Sequence, residues 1–223
     1  MVDRLERAFG ALSRIGTGRA LTSWISETES NLSGVAREQL DDWINTSEVL
    51  EPALDAALFI KSMVGQINVA VHAVGILVSL PYLLRPGEVV EHLSLGAGNT
   101  GRGHDLETDR QIGEFKFIEW RGGAESIRQN SLFVDLFNLA ASQTTKERNL
   151  YVVDKTHPMR FLENRRAIKS VLSKHAHEAA RFSSAYGDRF TTVRDYYDSV
   201  RDLVNVVDLR DYVPQLRTIA GDT

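Results

Sequence analysis

Apolar positions recur at helical spacing through the first 50 residues. Leu5, Phe9, Leu12 and Ile15 form one stripe, Val35, Leu40, Trp43 and Ile44 form a second, and Gly16-Thr17-Gly18 breaks the chain between them. A helical amino-terminal region over 1–50 is the expectation. From Leu54 the pattern turns apolar on all sides, and Ser62 to Leu84 holds no Asp, Glu, Lys or Arg across 23 positions. Such a length could cross a bilayer. Gln66, Asn68, His72, Gly65, Gly75 and Pro81 interrupt it, however, and no basic clusters flank it. The pattern therefore predicts a helix buried on most sides of an α/β domain rather than a membrane span.

After Pro86-Gly87 the period falls from 3.6 to 2. Val89, Glu91, Leu93 and Leu95 alternate with Val90, His92 and Ser94, which predicts a strand. A glycine-rich loop follows over 96–103, then two further alternating segments, His104 to Thr108 and Gln111 to Trp120, joined by the turn-prone Asp109-Arg110. Ile127, Leu132, Val134, Leu136, Phe137 and Leu139 mark a helix to about Ser142, and the apolar run 149–154 predicts a buried strand. Helical signals resume at Pro158 and continue to the end. The order predicts an α/β fold with a central mixed sheet of about four to five strands, flanked by helices, with helical amino- and carboxy-terminal regions. Residues 51–223 would form one α/β domain with its core over about 54–154.

At 223 residues the chain is long enough to bury a core without staples. The absence of cysteine excludes thiol nucleophiles, disulfides and cysteine-ligated metals, and a reducing cytoplasm is the expected compartment. Met1 to Glu6 lacks the basic, then apolar, start of a signal peptide. A net charge of −4 argues against coating nucleic acid by charge alone, yet residues 155–181 carry seven bases against two acids. Arg165, Arg166, Lys169 and Lys174 from that stretch, with Arg102 and Arg121 beside the strands, are the candidate phosphate contacts.

The strongest chemical signal is the segment Asp105 to Phe117. On a strand Glu114 and Lys116 project to one face, while Phe115 and Phe117 point to the other. A two-residue turn at Asp109-Arg110 sets Asp105 opposite Glu114, with β-carbons about 4.5–5.5 Å apart. Two carboxylates at that spacing repel unless a divalent cation lies between them. Lys116 on the same face could hold an attacking water or stabilise charge developing on a phosphate.

This arrangement resembles the PD-(D/E)XK nuclease superfamily, whose restriction-endonuclease-like core runs helix, three antiparallel strands, helix, strand. The resemblance covers about residues 54–154, with Asp105 matching the second-strand aspartate and Glu114-Phe115-Lys116 matching the Glu-x-Lys of the third. It implies Mg²⁺ (or Mn²⁺) held by Asp105, Glu114 and the Phe115 carbonyl, with Lys116 acting on water and Gln129 supporting from the next helix. The implied activity is endonucleolytic hydrolysis of nucleic acid, most naturally DNA. A homodimer would follow from the need to cut two strands with one site per chain.

Two other readings compete. Gly96-Ala97-Gly98-Asn99-Thr100-Gly101 after a strand resembles the glycine motif of S-adenosylmethionine-dependent methyltransferases, with Glu119 at ribose-binding spacing; that chemistry needs a helix directly after the loop. Alternatively, the same fold serves only to bind nucleic acid or protein. His72 within the apolar stretch reads as a satisfied core histidine.

Overall fold

The computed structural model of the chain describes residues 2–16, 19–33, 35, 37–96, 103–117, 120 and 125–217. Two compact units divide it near Asn68. The first is helical: α1 (Val2–Ser13), α2 (Arg19–Leu32), α3 (Arg37–Thr46) and the beginning of α4 (Leu50–Leu83). Small residues let helices approach here, since Ala8, Ala53 and Ala56 are the buried apolar side chains among its described residues, and the Arg4 guanidinium lies 4.2 Å from the centre of the Phe59 ring. The expected stripe on α1 is only half covered, with Phe9 59% exposed.

The second unit is α/β. It contains β1 (Val90–Leu93), β2 (Leu106–Thr108), β3 (Gln111–Lys116), α5 (Ser126–Ala141), β4 (Glu147–Val152), α6 (Thr156–Leu162), α7 (Ile168–Val171), α8 (Ala176–Tyr186), α9 (Val193–Val200), β5 (Val204–Asp208) and α10 (Pro214–Arg217). The five strands form one mixed sheet in chain order. β1, β2 and β3 pair antiparallel, and β4 and β5 extend the sheet parallel to β3. Parallel neighbours need a crossover, which α5 supplies between β3 and β4 and helices α6 to α9 between β4 and β5. The mixed sheet is as expected, but β5 falls in a stretch read as helical. Its run Val204, Val206, Val207 is β-branched and short, and a period-3.6 reading could not separate it from the preceding helix.

Side-chain alternation gives each face of the sheet its own core. Ile112, Leu150, Val152 and Val204 pack under α5 and the helices beyond it, where Phe133, Phe137, Phe182, Tyr186 and Tyr196 form an aromatic cluster. A capping box between Thr192 and Asp195 starts α9. On the other face Leu106, Phe115 and Tyr151 pack with Ile76 of α4 and with Leu209 and Val213. Two close approaches there require glycine. A Cβ at Gly75 would lie 2.6 Å from the Phe117 ring, and one at Gly113 would lie 2.8 Å from the Tyr151 ring.

The long helix corrects the expectation of burial on most sides. Only a stripe that includes Ile76 and Ser79 is fully buried, while Ile67, Val71, Val74, Leu77 and Val78 are 36–56% exposed. Among the described residues α4 is the one helix long and apolar enough to cross a membrane by length and composition. Its most apolar 18 residues have mean hydropathy 1.7, and 12% of them are buried.

Candidate functional site

The hairpin forms in the register that the turn chemistry implies. Leu106 pairs with Gly113 and Glu107 with Ile112. The Thr108 hydroxyl oxygen accepts from the N–H groups of Arg110 and Gln111, closing a two-residue turn at Asp109-Arg110. One position beyond the paired residues, Asp105 is held between β1 and β3. Its N–H donates to the Gly113 carbonyl at 2.9 Å, and its carbonyl accepts from Ser94 at 2.7 Å. Asp105 therefore sits beside Glu114, as the even-length turn requires.

Alternation along β3 turns Glu114 and Lys116 toward α5, with side chains only 12% and 20% exposed. This excludes a hairpin whose charged face is simply wet. Lys116 Nζ lies 2.8 Å from Glu114 Oε1 and 2.8 Å from Asp135 Oδ2 on α5. Asp105 is fixed from two sides: its Oδ2 accepts from the Phe115 N–H at 3.0 Å, and its Oδ1 lies 3.4 Å from His72 Nε2 on α4. Phe115 itself is buried in the opposite core, stacked on Tyr151 with ring centres 4.6 Å apart.

Two carboxylates, from Glu114 and Asp135, thus flank one lysine in a poorly hydrated place, and Asp105 lies close enough for its charge to act on both. Burial, together with the charges of Asp135 and Asp105, pushes the Glu114 carboxyl up to about 7, although Lys116 pulls in the other direction. Burial likewise raises Asp135. For Lys116 burial opposes the charge, but Asp135 and Glu114 outweigh it and raise its pKa, so the ammonium stays charged. The hydrogen bond to Asp105 raises His72 against the effect of burial. Fully ionised, the cluster would carry more negative charge than Lys116 offsets, and the raised Glu114 and Asp135 carboxyls favour their protonated forms instead.

Mg²⁺ is commonly bound through one or two carboxylates while keeping several waters. Asp105 and Glu114 can supply those carboxylates, whereas no three His, Asp or Glu side chains among the described residues converge as a ready ligand set.

The other expected residues fall elsewhere. Gln129, on the first turn of α5, accepts from Arg166 Nη1 at 2.5 Å and lines a cavity of about 230 Å³ with Trp120, Glu125, His157, Arg160 and Asn164. The partner that α5 gives Lys116 is Asp135, not Gln129. Arg165, Lys169 and Lys174 are exposed, and Lys169 lies 4.0 Å from Asp188 with both side chains almost wholly in solvent. Arg102, Arg121, Glu119 and the loop positions 97–101 lie outside the described residues. The next described element after that loop is β2, not the helix that the methyltransferase reading requires.

One member of the cluster, Asp135, escaped the sequence reading, and His72, read there as a satisfied core histidine, lies half-buried against Asp105. Asp135 is a lone acid inside Phe133-Val134-Asp135-Leu136-Phe137, and an isolated charge in an apolar helix run is the signal that could have found it. His72 carried the corresponding signal in the charge-free stretch. No protein-family model, no curated protein and no solved structure matches this chain.

Proposed function

We propose that the chain is a divalent-metal-dependent nuclease of the PD-(D/E)XK type that hydrolyses phosphodiester bonds of DNA in the cytoplasm. The observation that carries this reading is the meeting of Asp105, Glu114 and Lys116 at the end of one hairpin, shielded from solvent and short of positive charge. Mg²⁺ or Mn²⁺ would be held by Asp105, Glu114 and the Phe115 carbonyl, and would supply a water of lowered pKa and charge neutralisation on the phosphate. His72 and the Phe115 N–H fix the orientation of Asp105. Lys116 stays protonated between Glu114 and Asp135, so its part is to donate N–H bonds to a water or a phosphate oxygen rather than to take a proton. Arg165, Lys169 and Lys174 offer exposed charge to the backbone of the substrate. Cutting both strands of a duplex would call for two copies.

The test combines cleavage with a readout that does not need activity. Wild-type protein should nick or linearise plasmid DNA with Mg²⁺ or Mn²⁺, and its melting temperature should rise with added Mg²⁺. Glu114→Gln should lose both. Absence of cleavage on single- and double-stranded substrates, together with no Mg²⁺-dependent shift in melting, would overturn the proposal.

A further inference from the structure

A second polar arrangement lies on the other face of the sheet and shares no residue with the acidic cluster. It begins at Glu88, whose Oε2 accepts from the Arg85 N–H at 2.9 Å. Glu88 Oε1 accepts from Thr108 Oγ1 at 2.6 Å and from Gln111 Nε2 at 2.8 Å. These donors hold the Glu88 carboxyl below the usual range against the effect of burial, so it is a carboxylate and can only accept.

That fixes the polarity of everything downstream. Gln111 must turn its NH₂ to Glu88, which leaves its Oε1 to accept from Asn149 Nδ2 at 2.8 Å and from the Tyr151 hydroxyl at 2.5 Å. Asn149, having donated, accepts at Oδ1 from Asn205 Nδ2 at 3.0 Å. Gln111, Asn149 and Tyr151 are buried, whereas Asn205, on edge strand β5, is exposed. The relay therefore ends on an amide of fixed orientation that presents one remaining N–H and a carbonyl oxygen side by side.

This amide opens into a cavity of about 580 Å³ lined also by Tyr82, Leu83, Arg85, Val207 and Tyr212. Tyr82 and Tyr212 are 44% and 50% exposed. Arg85 at the rim is engaged with Glu147 at 2.6–2.8 Å. Two half-exposed phenol rings in the same cavity as an oriented carboxamide are groups that recognise a planar base: a ring stacks on its face, and the amide reads one edge.

We infer that this cavity binds a purine base, through the Asn205 amide on one donor–acceptor edge and through stacking on Tyr82 and Tyr212. With adenine, Asn205 Oδ1 accepts from the exocyclic amine while its other N–H donates to the adjacent ring nitrogen. Guanine offers the amide a matching donor and acceptor through its N1–H and O6, so the amide takes either purine. Cytosine and uracil offer such a pair on a smaller stacking area, so they rank below the purines.

The inference is independent of the nuclease proposal, and its test is run in EDTA so that nothing is cleaved. AMP, CMP, GMP and UMP are titrated into the full chain by calorimetry, alongside oligo(dA) and oligo(dT). AMP and GMP should bind about tenfold more tightly than CMP and UMP, as expected from their larger stacking surface. Asn205→Ala should weaken AMP and GMP by about tenfold. Tyr212→Leu should weaken all four nucleotides and narrow the purine preference. Both positions are exposed, and unchanged melting of the variants would show that they fold.

AMP binding that oligo(dA) does not exceed assigns the site to a free nucleotide, and tighter oligo(dA) binding assigns it to a base within a strand; either supports the purine site. No AMP, GMP or oligo(dA) binding at millimolar concentration, CMP and UMP as tight as AMP, or AMP affinity unmoved by both variants would overturn it. Mg²⁺-dependent melting shifts should survive both substitutions, which separates failure here from failure of the nuclease reading.

Discussion

The two faces of the sheet bury polar groups by opposite rules. Toward α5, Glu114 and Asp135 are two buried acids sharing the one base Lys116; toward α4, Gln111, Asn149 and Tyr151 are neutral groups tied into one directed chain of hydrogen bonds. A satisfied neutral network costs little to bury and holds a single geometry. An unbalanced ionic cluster is costly, because burial penalises each carboxylate that lacks a cation. The first kind of polar burial shapes a core. The second leaves an opening for a positively charged ligand, and functional sites are where such perturbed groups collect.

The comparison can be broken most forcefully at Lys116. Lys116→Met leaves Glu114 and Asp135 facing each other, and it should cost about 3–5 kcal/mol at pH 8 by chemical denaturation, besides abolishing cleavage. The loss should shrink at pH 5, where the Glu114 carboxyl, raised to about 7, takes up a proton.

Next in size is the pH profile of the wild-type protein without metal. The Glu114 carboxyl is raised from 4.5 to about 7, so the folded state binds its proton more tightly than the unfolded chain does. Its contribution to stability is full below the unfolded value and is lost as pH rises through the folded one. Between these limits stability should fall by up to about 3 kcal/mol. Glu114→Gln should flatten that part of the profile. A wild-type curve already flat from pH 4.5 to 7 would remove the claim of a buried, under-compensated acid.

Gln111→Leu probes the neutral face. It leaves Asn149 Nδ2 and the Tyr151 hydroxyl without their acceptor, for a loss of about 2 kcal/mol. The loss should be constant across neutral pH, in contrast to the Lys116 variant. The smallest effect belongs to the exposed bases: Arg165→Ala, Lys169→Ala and Lys174→Ala should each change stability by less than about 0.5 kcal/mol. Each that contacts a phosphate should lower the log–log salt slope of DNA binding by about 0.9.

Local chemistry made much of this legible in the sequence. The Asp109-Arg110 turn set the register that puts Asp105 beside Glu114, and period-2 alternation assigned Glu114 and Lys116 to one face and Phe115 to the other. Both are short-range consequences of turn geometry and the pleat. Longer-range pairings were not legible. Asp135 reaches Lys116 across a crossover, His72 reaches Asp105 from a helix far upstream, and β5 declares itself a strand by pairing with β4.

By itself, then, the sequence determined the α/β class, the hairpin and its register, and the face on which the acids and the lysine project, because these follow from neighbours within a few residues. Only the tertiary structure decided that Asp135 rather than Gln129 faces Lys116, that α4 buries one stripe instead of its whole girth, and that the amides of Gln111, Asn149 and Asn205 join into a relay. These depend on which elements pack together, and the free energy of burying a group is set by partners that the chain brings from a distance.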